Sequence, residues 1–368
     1  MSSNSKLLFR KRFHVGDVAR CVDFIAFHER MASCEQLWEH NWMLYTIDEH
    51  YAYFVHMPKP SFSYSVMTTP FITVCQFASA ELVAKVPHKV FVEQSERLRT
   101  IPGHVVILST MARSGSALLA QMLQACDAST RNVLVLSEID AFSAIALHIA
   151  DFSMPIQTAR TLLLASLRFT CKDQVPEQTL ILKMRWNCTR LVPHLKAVAP
   201  YVIHAYIGRR SLEQAVISQI IVCEHDENIF PMLLDLRRIH SAFCDWVTTF
   251  ARMEWPLVRM IEPQSIFEFA VALVSQSFID FVCNQDCFAT HAIFYEDLVS
   301  DTNETMRRIL DVCCLSELCT LDCNDHKTYG QRRSSVEDIE IVNHELADSD
   351  RQKLLHICSL IGYPLIEY

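Results

Sequence analysis

Arg113-Ser114-Gly115-Ser116 stands between a β-branched run, "VVILST", and an apolar run at helical spacing, "ALLAQMLQ". The chain has only 6 glycines, so one at this point marks a tight turn. Such a turn aims several backbone N–H groups at one point at a helix N-terminus, where the helix dipole favours an anion. An arginine and two hydroxyls at the rim suit phosphate or sulfate, while an ordinary strand-to-helix turn with a glycine for geometry explains the same residues. Glu138, Lys183, Arg210 and Glu296 share one property with Arg113: each ends or follows a short apolar run.

The elements that would position these residues begin at residue 103. "HVVILST", "NVLVLSE", "LILKMR", "YVIHAYIG" and "HAIFYED" read as strands, and "SALLAQMLQAC", "LEQAVISQII" and "NETMRRILDVC" read as helices between and after them. Strands spaced by helices imply an α/β fold with a parallel sheet covered on both faces. Ligands then bind beyond the carboxyl ends of the strands, where these polar residues fall. Residues 222–289 read as a helical insertion. Residues 1–95 read as a separate, β-rich extension carrying no chemical motif, a cap or an oligomerisation element, so a homodimer is compatible with it. Within it, Val18, Cys21, Val22 and Ile25 predict an amphipathic helix over 17–33, and "NWMLYTIDEHYAYFVHM" predicts a hairpin turning at Asp48-Glu49-His50. The remaining residues, 96–368, are expected to form the α/β domain.

Composition narrows the function classes. The 368 residues are 51% hydrophobic and 20% charged, enough for a sizeable core. A net charge of −9 argues against a general nucleic-acid coat or a polybasic membrane surface, though not against a small anion held locally. The apolar runs "TLLLASL" and "FEFAVALV" fall short of the roughly 20 residues of a membrane span. The polar, basic start "MSSNSKLLFRKRFH" has no apolar run behind it, which predicts a cytoplasmic protein whose 15 cysteines are reduced. Cys313, Cys314, Cys319, Cys323 and His326 cluster without the paired spacing of a zinc site, so no metal is expected.

The turn lacks the lysine that follows the glycines of an ATP-binding P-loop. "STMARSGSALL" instead resembles the phosphosulfate-binding loop of the sulfotransferases, with its R-S-G-[ST] core. "GRRSLEQAVISQ", with Ser218 eight residues after Arg210, is similar to the segment in which that family holds the 3′-phosphate of PAPS, the sulfate donor. "FYEDLVSDTNETMRRIL" resembles the family's late strand-to-helix segment, where Glu296 and Asp297 are expected to fix the loop and cap a helix. The resemblance covers about the last 265 residues and implies a P-loop-type parallel sheet flanked by helices. It implies PAPS as co-substrate, leaving as PAP without a metal, and donor contacts from Arg113, Ser114, Gly115, Ser116, Ala117, Arg210 and Ser218.

Sulfuryl transfer needs charge stabilised on the leaving phosphate and a proton taken from the acceptor. The resemblance gives the first task to Arg113 and to Lys183, the strand lysine aimed at the bridging oxygen. Small-phenol and steroid sulfotransferases place a histidine two residues after that lysine; Arg185 stands there and cannot accept a proton. The tyrosylprotein and carbohydrate branches use a glutamate after the second strand, which points to Glu138, with helix capping as its competing role and His148 as the second candidate base. Arg332, Arg333 and Ser334 resemble a nucleotide-closing segment of the tyrosylprotein enzymes. Ala112 and Ala117 depart from the usual loop residues. The expected acceptor is a hydroxyl on a small molecule, carbohydrate or peptide. The alternatives are a non-catalytic nucleotide-binding or scaffolding relative, and a small-molecule kinase.

Overall fold

The hairpin forms where the aromatic and β-branched runs meet an aspartate. In the computed structural model β3 (Trp42–Ile47) and β4 (Tyr51–His56) pair antiparallel. Asp48 closes the turn, its Oδ1 accepting the N–H groups of His50 and Tyr51 at 2.8 Å each. The structure describes residues 2–364 apart from 15, 99, 128, 129 and 131, most of 226–254, and 319–344. Two compact units divide the chain: residues 1–107, 123–184 and 191–203 form one, and 108–122, 185–190 and 204–368 the other.

In the first unit β1 (Ser2–Arg10), β2 (Phe24–Ala32) and β5 (Leu82–Pro87) join β3 and β4 in a five-stranded antiparallel sheet of order β2-β1-β5-β4-β3. The helix expected over 17–33 is therefore wrong. Only Cys21–Asp23 turn, as a short 3-10 segment, and Phe24–Ala32 extend along β1. The periodicity misled because its apolar residues share no buried face: Val18 is buried, while Val22 and Ile25 are exposed. Pairing with β1 overrides the weak helical pattern. Helix α1 (Ile72–Ser79) precedes β5, and α2 (His88–Arg97) follows it. Phe54, Phe91 and Phe169 cluster with ring centroids 4.9 to 5.8 Å apart, and that cluster anchors the core.

The second sheet has the order β10-β9-β6-β8-β7, from β6 (His104–Thr110), β7 (Val133–Ser137), β8 (Thr179–Lys183), β9 (Ile203–Gly208) and β10 (Ile293–Phe294). β7 pairs with β8 in parallel, as β9 does with β10. The fold is α/β, with α3 (Ser116–Ala125), α4 (Asp140–Ala150), α5 (Ile156–Thr170), α6 (Val192–Val198) and α7 (Leu212–His225) among its flanking helices. "HAIFYED" yields only two strand residues, because Tyr295 already opens α10 (Tyr295–Ser300).

The core of the second unit gathers Tyr206, Leu212, Val216 and the residues 269–274, with Phe278 and Phe281. These last eight belong to α9 (Ile266–Cys283), which follows α8 (Trp255–Ile261). At 18 residues and mean hydropathy 1.7, α9 is long and apolar enough to cross a membrane, contrary to the expectation from the apolar runs. It is 67% buried against its own unit, as a core helix is. Helices α11 (Thr302–Val312) and α12 (Asp348–Ile361) complete the described residues.

Candidate functional site

The loop after β6 is held by residues of three distant segments. Met111 N–H donates to the Ile207 carbonyl at 2.9 Å, and Ser114 N–H turns back to the Met111 carbonyl at 3.3 Å. Arg113 (φ 63°) and Gly115 (φ 73°) both lie in the left-handed region. Gly115 admits no side chain: a Cβ there would sit 2.3 Å from Cδ2 of Tyr295. Only glycine meets both demands, which is why one of the few in the chain stands here.

Arg209 completes the clamp. Its guanidinium lies 4.5 Å from the Tyr295 ring centroid, and its Nε donates to the Arg113 carbonyl at 2.7 Å. Burial lowers its pKa from the usual arginine value, against the pull of Tyr295 and Glu296. Arg113 Nε donates in turn to Oε1 of Gln219 on α7, at 3.2 Å. The two motifs quoted for the donor therefore meet physically. Ser114 is fully buried and its Oγ finds no hydrogen-bond partner, the kind of orphaned group that a bound oxyanion satisfies. Ser116 and Ala117 begin α3, a ten-residue helix whose N-terminus opens at this loop.

Arg210 and Ser218 are both present in this unit but internally engaged. Both carboxylate oxygens of Asp297 accept from Arg210 Nη2 at 2.5 Å, and the Arg210 N–H donates to Glu296 Oε2 at 3.2 Å. Ser218 is buried on α7, its Oγ donating to the Gln214 carbonyl at 2.8 Å. Glu296 and Asp297 thus fix the Arg210 loop as expected, but they cap nothing: α10 has no side-chain cap, and Asp301 caps α11 by accepting from Glu304 N–H.

In the other unit, β7 and β8 end side by side. Ser137 is the register partner of Lys183, so the next residue, Glu138, lies at the mouth of the pair. Glu138 N–H donates to the Lys183 carbonyl at 2.8 Å, and Lys183 Nζ donates to Glu138 Oε1 at 2.5 Å. The two side chains are only 10% and 6% exposed. Glu138 has φ 61°, a strained value for a residue with a Cβ, and strain of this kind collects at functional sites. Helix α4 starts at Asp140 with Ile139 as its N-cap and no side-chain cap bond, so its cap is not Glu138. His148 sits near the other end of α4, on the order of 12 Å away at 1.5 Å per residue, with its ring on Ser153 Oγ at 2.6 Å. The helix separates it from the Glu138–Lys183 pair. Arg185 is buried beyond β8.

Sequence reasoning missed three residues. Arg209 and Tyr295 form the clamp, and an arginine doublet gives no sign in the sequence of a tyrosine so far along the chain. Asp140, fully buried, accepts from Ala19 N–H at 2.8 Å and Thr73 Oγ1 at 2.6 Å. Its signal was legible: an acid in the first turn of an otherwise apolar helix. Arg332, Arg333, Ser334, Cys319, Cys323 and His326 lie outside the described residues.

No family model matches the chain, and no curated protein does. Among solved structures the chain is similar to the sulfotransferase STF9 from Mycobacterium avium, at 11% identity and TM-score 0.38, over 76% of this chain and 82% of that one.

Proposed function

We propose that this protein is a sulfotransferase that takes the sulfuryl group from PAPS and passes it to a hydroxyl acceptor. One observation carries the reading: the R-S-G-S loop is bonded to the second motif through Arg209 to Arg113 and Arg113 to Gln219. Two segments separated by about a hundred residues thereby build one anion-facing turn, without the lysine a kinase would use. Backbone N–H groups, Ser114 Oγ, Ser116 and the Arg113 side chain would hold the phosphosulfate, and Arg210 with Ser218 the 3′-phosphate.

In the transfer the acceptor oxygen bonds to sulfur as the sulfur–oxygen bond to PAP breaks. The acceptor proton goes to the Glu138 carboxylate, and Lys183 stabilises charge on the departing oxygen. The acceptor class remains a hydroxyl of a small molecule, carbohydrate or peptide, and the cytoplasm is the proposed compartment.

A second reading has an observation of its own. Arg210, Ser218 and Lys183 each already donate to a protein partner, Asp297, the Gln214 carbonyl and Glu138 respectively, as a non-catalytic relative would allow. Thermal stabilisation by PAP, ADP and ATP with and without magnesium separates the classes. The reading as a sulfotransferase expects PAP to raise the melting temperature most, with magnesium irrelevant. Preference for ATP with magnesium, or no shift with any nucleotide, overturns it; stabilisation by PAP without any release of PAP from PAPS favours the non-catalytic relative.

A further inference from the structure

β1 pairs with β5 only over Ser3–Lys6, whereas its pairing with β2 continues as far as Arg10 opposite Phe24. Residues 7–10 and 24–26 therefore extend past β5 as a two-stranded ribbon. In its register Phe9 stands opposite Ile25 and Lys6 opposite Phe27, and opposed residues of an antiparallel pair share a face. Phe9, Ile25 and Phe27 are 59%, 51% and 67% exposed, and Leu8, the extra residue of a bulge, is 65% exposed. Single exposed apolar residues are ordinary, but a cluster of four on one ribbon calls for something that covers it.

The charge around the cluster says what. Lys6, Arg10, Lys11 and Arg30 are exposed, against a single exposed acid between residues 2 and 32, Glu29. The other two acids of that stretch, Asp17 and Asp23, are fully buried, Asp23 on Arg12. A chain of net charge −9 thus presents an apolar face with a basic rim here. A second copy would bring the same cations together, which costs energy. A further strand on β2 meets the bulge at Glu29 and the run His28-Glu29-Arg30, devices that close an edge to pairing. An anionic lipid surface suffers neither penalty: aromatic and aliphatic side chains enter the interface and cations meet the headgroups.

We infer that the β1–β2 ribbon docks the protein on an anionic lipid surface. The test is sedimentation of the full chain with phosphatidylcholine vesicles, with and without phosphatidylserine, at low and high salt. The expected result is binding that requires phosphatidylserine and weakens as salt rises. Lys6→Glu with Lys11→Glu should lower the partition by on the order of 30-fold, while leaving every apolar contact in place. Phe9→Ser with Phe27→Ser should lower it too, with circular dichroism melting as the check on folding. Several results overturn the proposal: no sedimentation with phosphatidylserine vesicles, equal binding to phosphatidylcholine alone, or no effect of the lysine substitutions. A concentration-dependent dimer in ultracentrifugation that the serine substitutions abolish, without vesicle binding, assigns the ribbon to a second copy instead.

Discussion

Lys183–Glu138 and Arg210–Asp297 are ion pairs of the same length, 2.5 Å, in opposite surroundings. The first has side chains 6% and 10% exposed, the second 37% and 34%. Two charges withdrawn from water depend on each other, and removing one strands the other at a cost of about 3–5 kcal/mol. A pair that keeps a third of its surface wet is worth about 1 kcal/mol or less, so it exchanges partners readily. On the proposed function the two would have different parts. The buried pair would be fixed machinery, suited to holding one proton-transfer geometry. The open pair would act as a latch, in which Asp297 keeps the Arg210 guanidinium aligned until a stronger anion takes its place.

Breaking the buried pair should have the largest effect. Glu138→Gln removes the proton acceptor, and turnover of PAPS should fall by about 10²- to 10⁴-fold, read as PAP release. It also leaves Lys183 without its carboxylate, so urea denaturation should show a stability loss of about 3–5 kcal/mol. Glu138→Leu with Lys183→Met should recover most of that stability and none of the activity. Recovery of both would make the pair a packing device.

The latch sharpens the comparison from the other side. Arg210→Ala should weaken PAP binding by roughly 1.5–3 kcal/mol, the range of a hydrogen bond to a charged group, with little loss of stability. Asp297→Asn should leave PAP affinity unchanged or tighter, because the guanidinium no longer has a carboxylate to leave. If both substitutions weaken PAP equally, the pair is a strut and not a latch.

How far the sequence disclosed this arrangement depends on the distance over which each residue finds its partner. β6 through β9 were legible as apolar runs, and the turn at Asp48 was legible because an aspartate closes it on its own neighbours. Gly115 was legible as a turn, but the reason for it, the Tyr295 ring, lies 180 residues away in the chain. Arg209 and Arg210 are adjacent and chemically identical, and only the fold decides that one clamps the loop while the other faces Asp297. The strand at Phe24–Ala32 was misread for the same reason: its pairing with β1 is tertiary, and a local helical period outweighed it.

Smaller effects test the loop itself. Gly115→Ala should cost roughly 1–3 kcal/mol, as its Cβ strains the left-handed turn and meets Tyr295, and thermal melting should register it. Pairing it with Tyr295→Ala should return only part of the loss, since the φ strain stays. Ser218→Ala should change PAP affinity by about 1 kcal/mol. Its hydroxyl already donates to Gln214, so it must turn to reach a phosphate. The smallest expected effect is none: chelation with EDTA should leave PAP release from PAPS unchanged, because arginine, lysine and backbone N–H groups supply the positive charge. Loss of activity on chelation, restored by magnesium, would revive the kinase.

The central claim is that Arg210 reads a 3′-phosphate on a nucleotide held by the Arg113–Ser116 loop. Calorimetric titration of PAP and of AMP, which lacks that phosphate, into the wild-type chain and Arg210→Ala tests it most directly. The account predicts that wild type binds PAP on the order of tenfold or more tighter than AMP, and that Arg210→Ala binds the two alike. Equal binding of PAP and AMP by wild type, or a preference that survives the loss of Arg210, would contradict it.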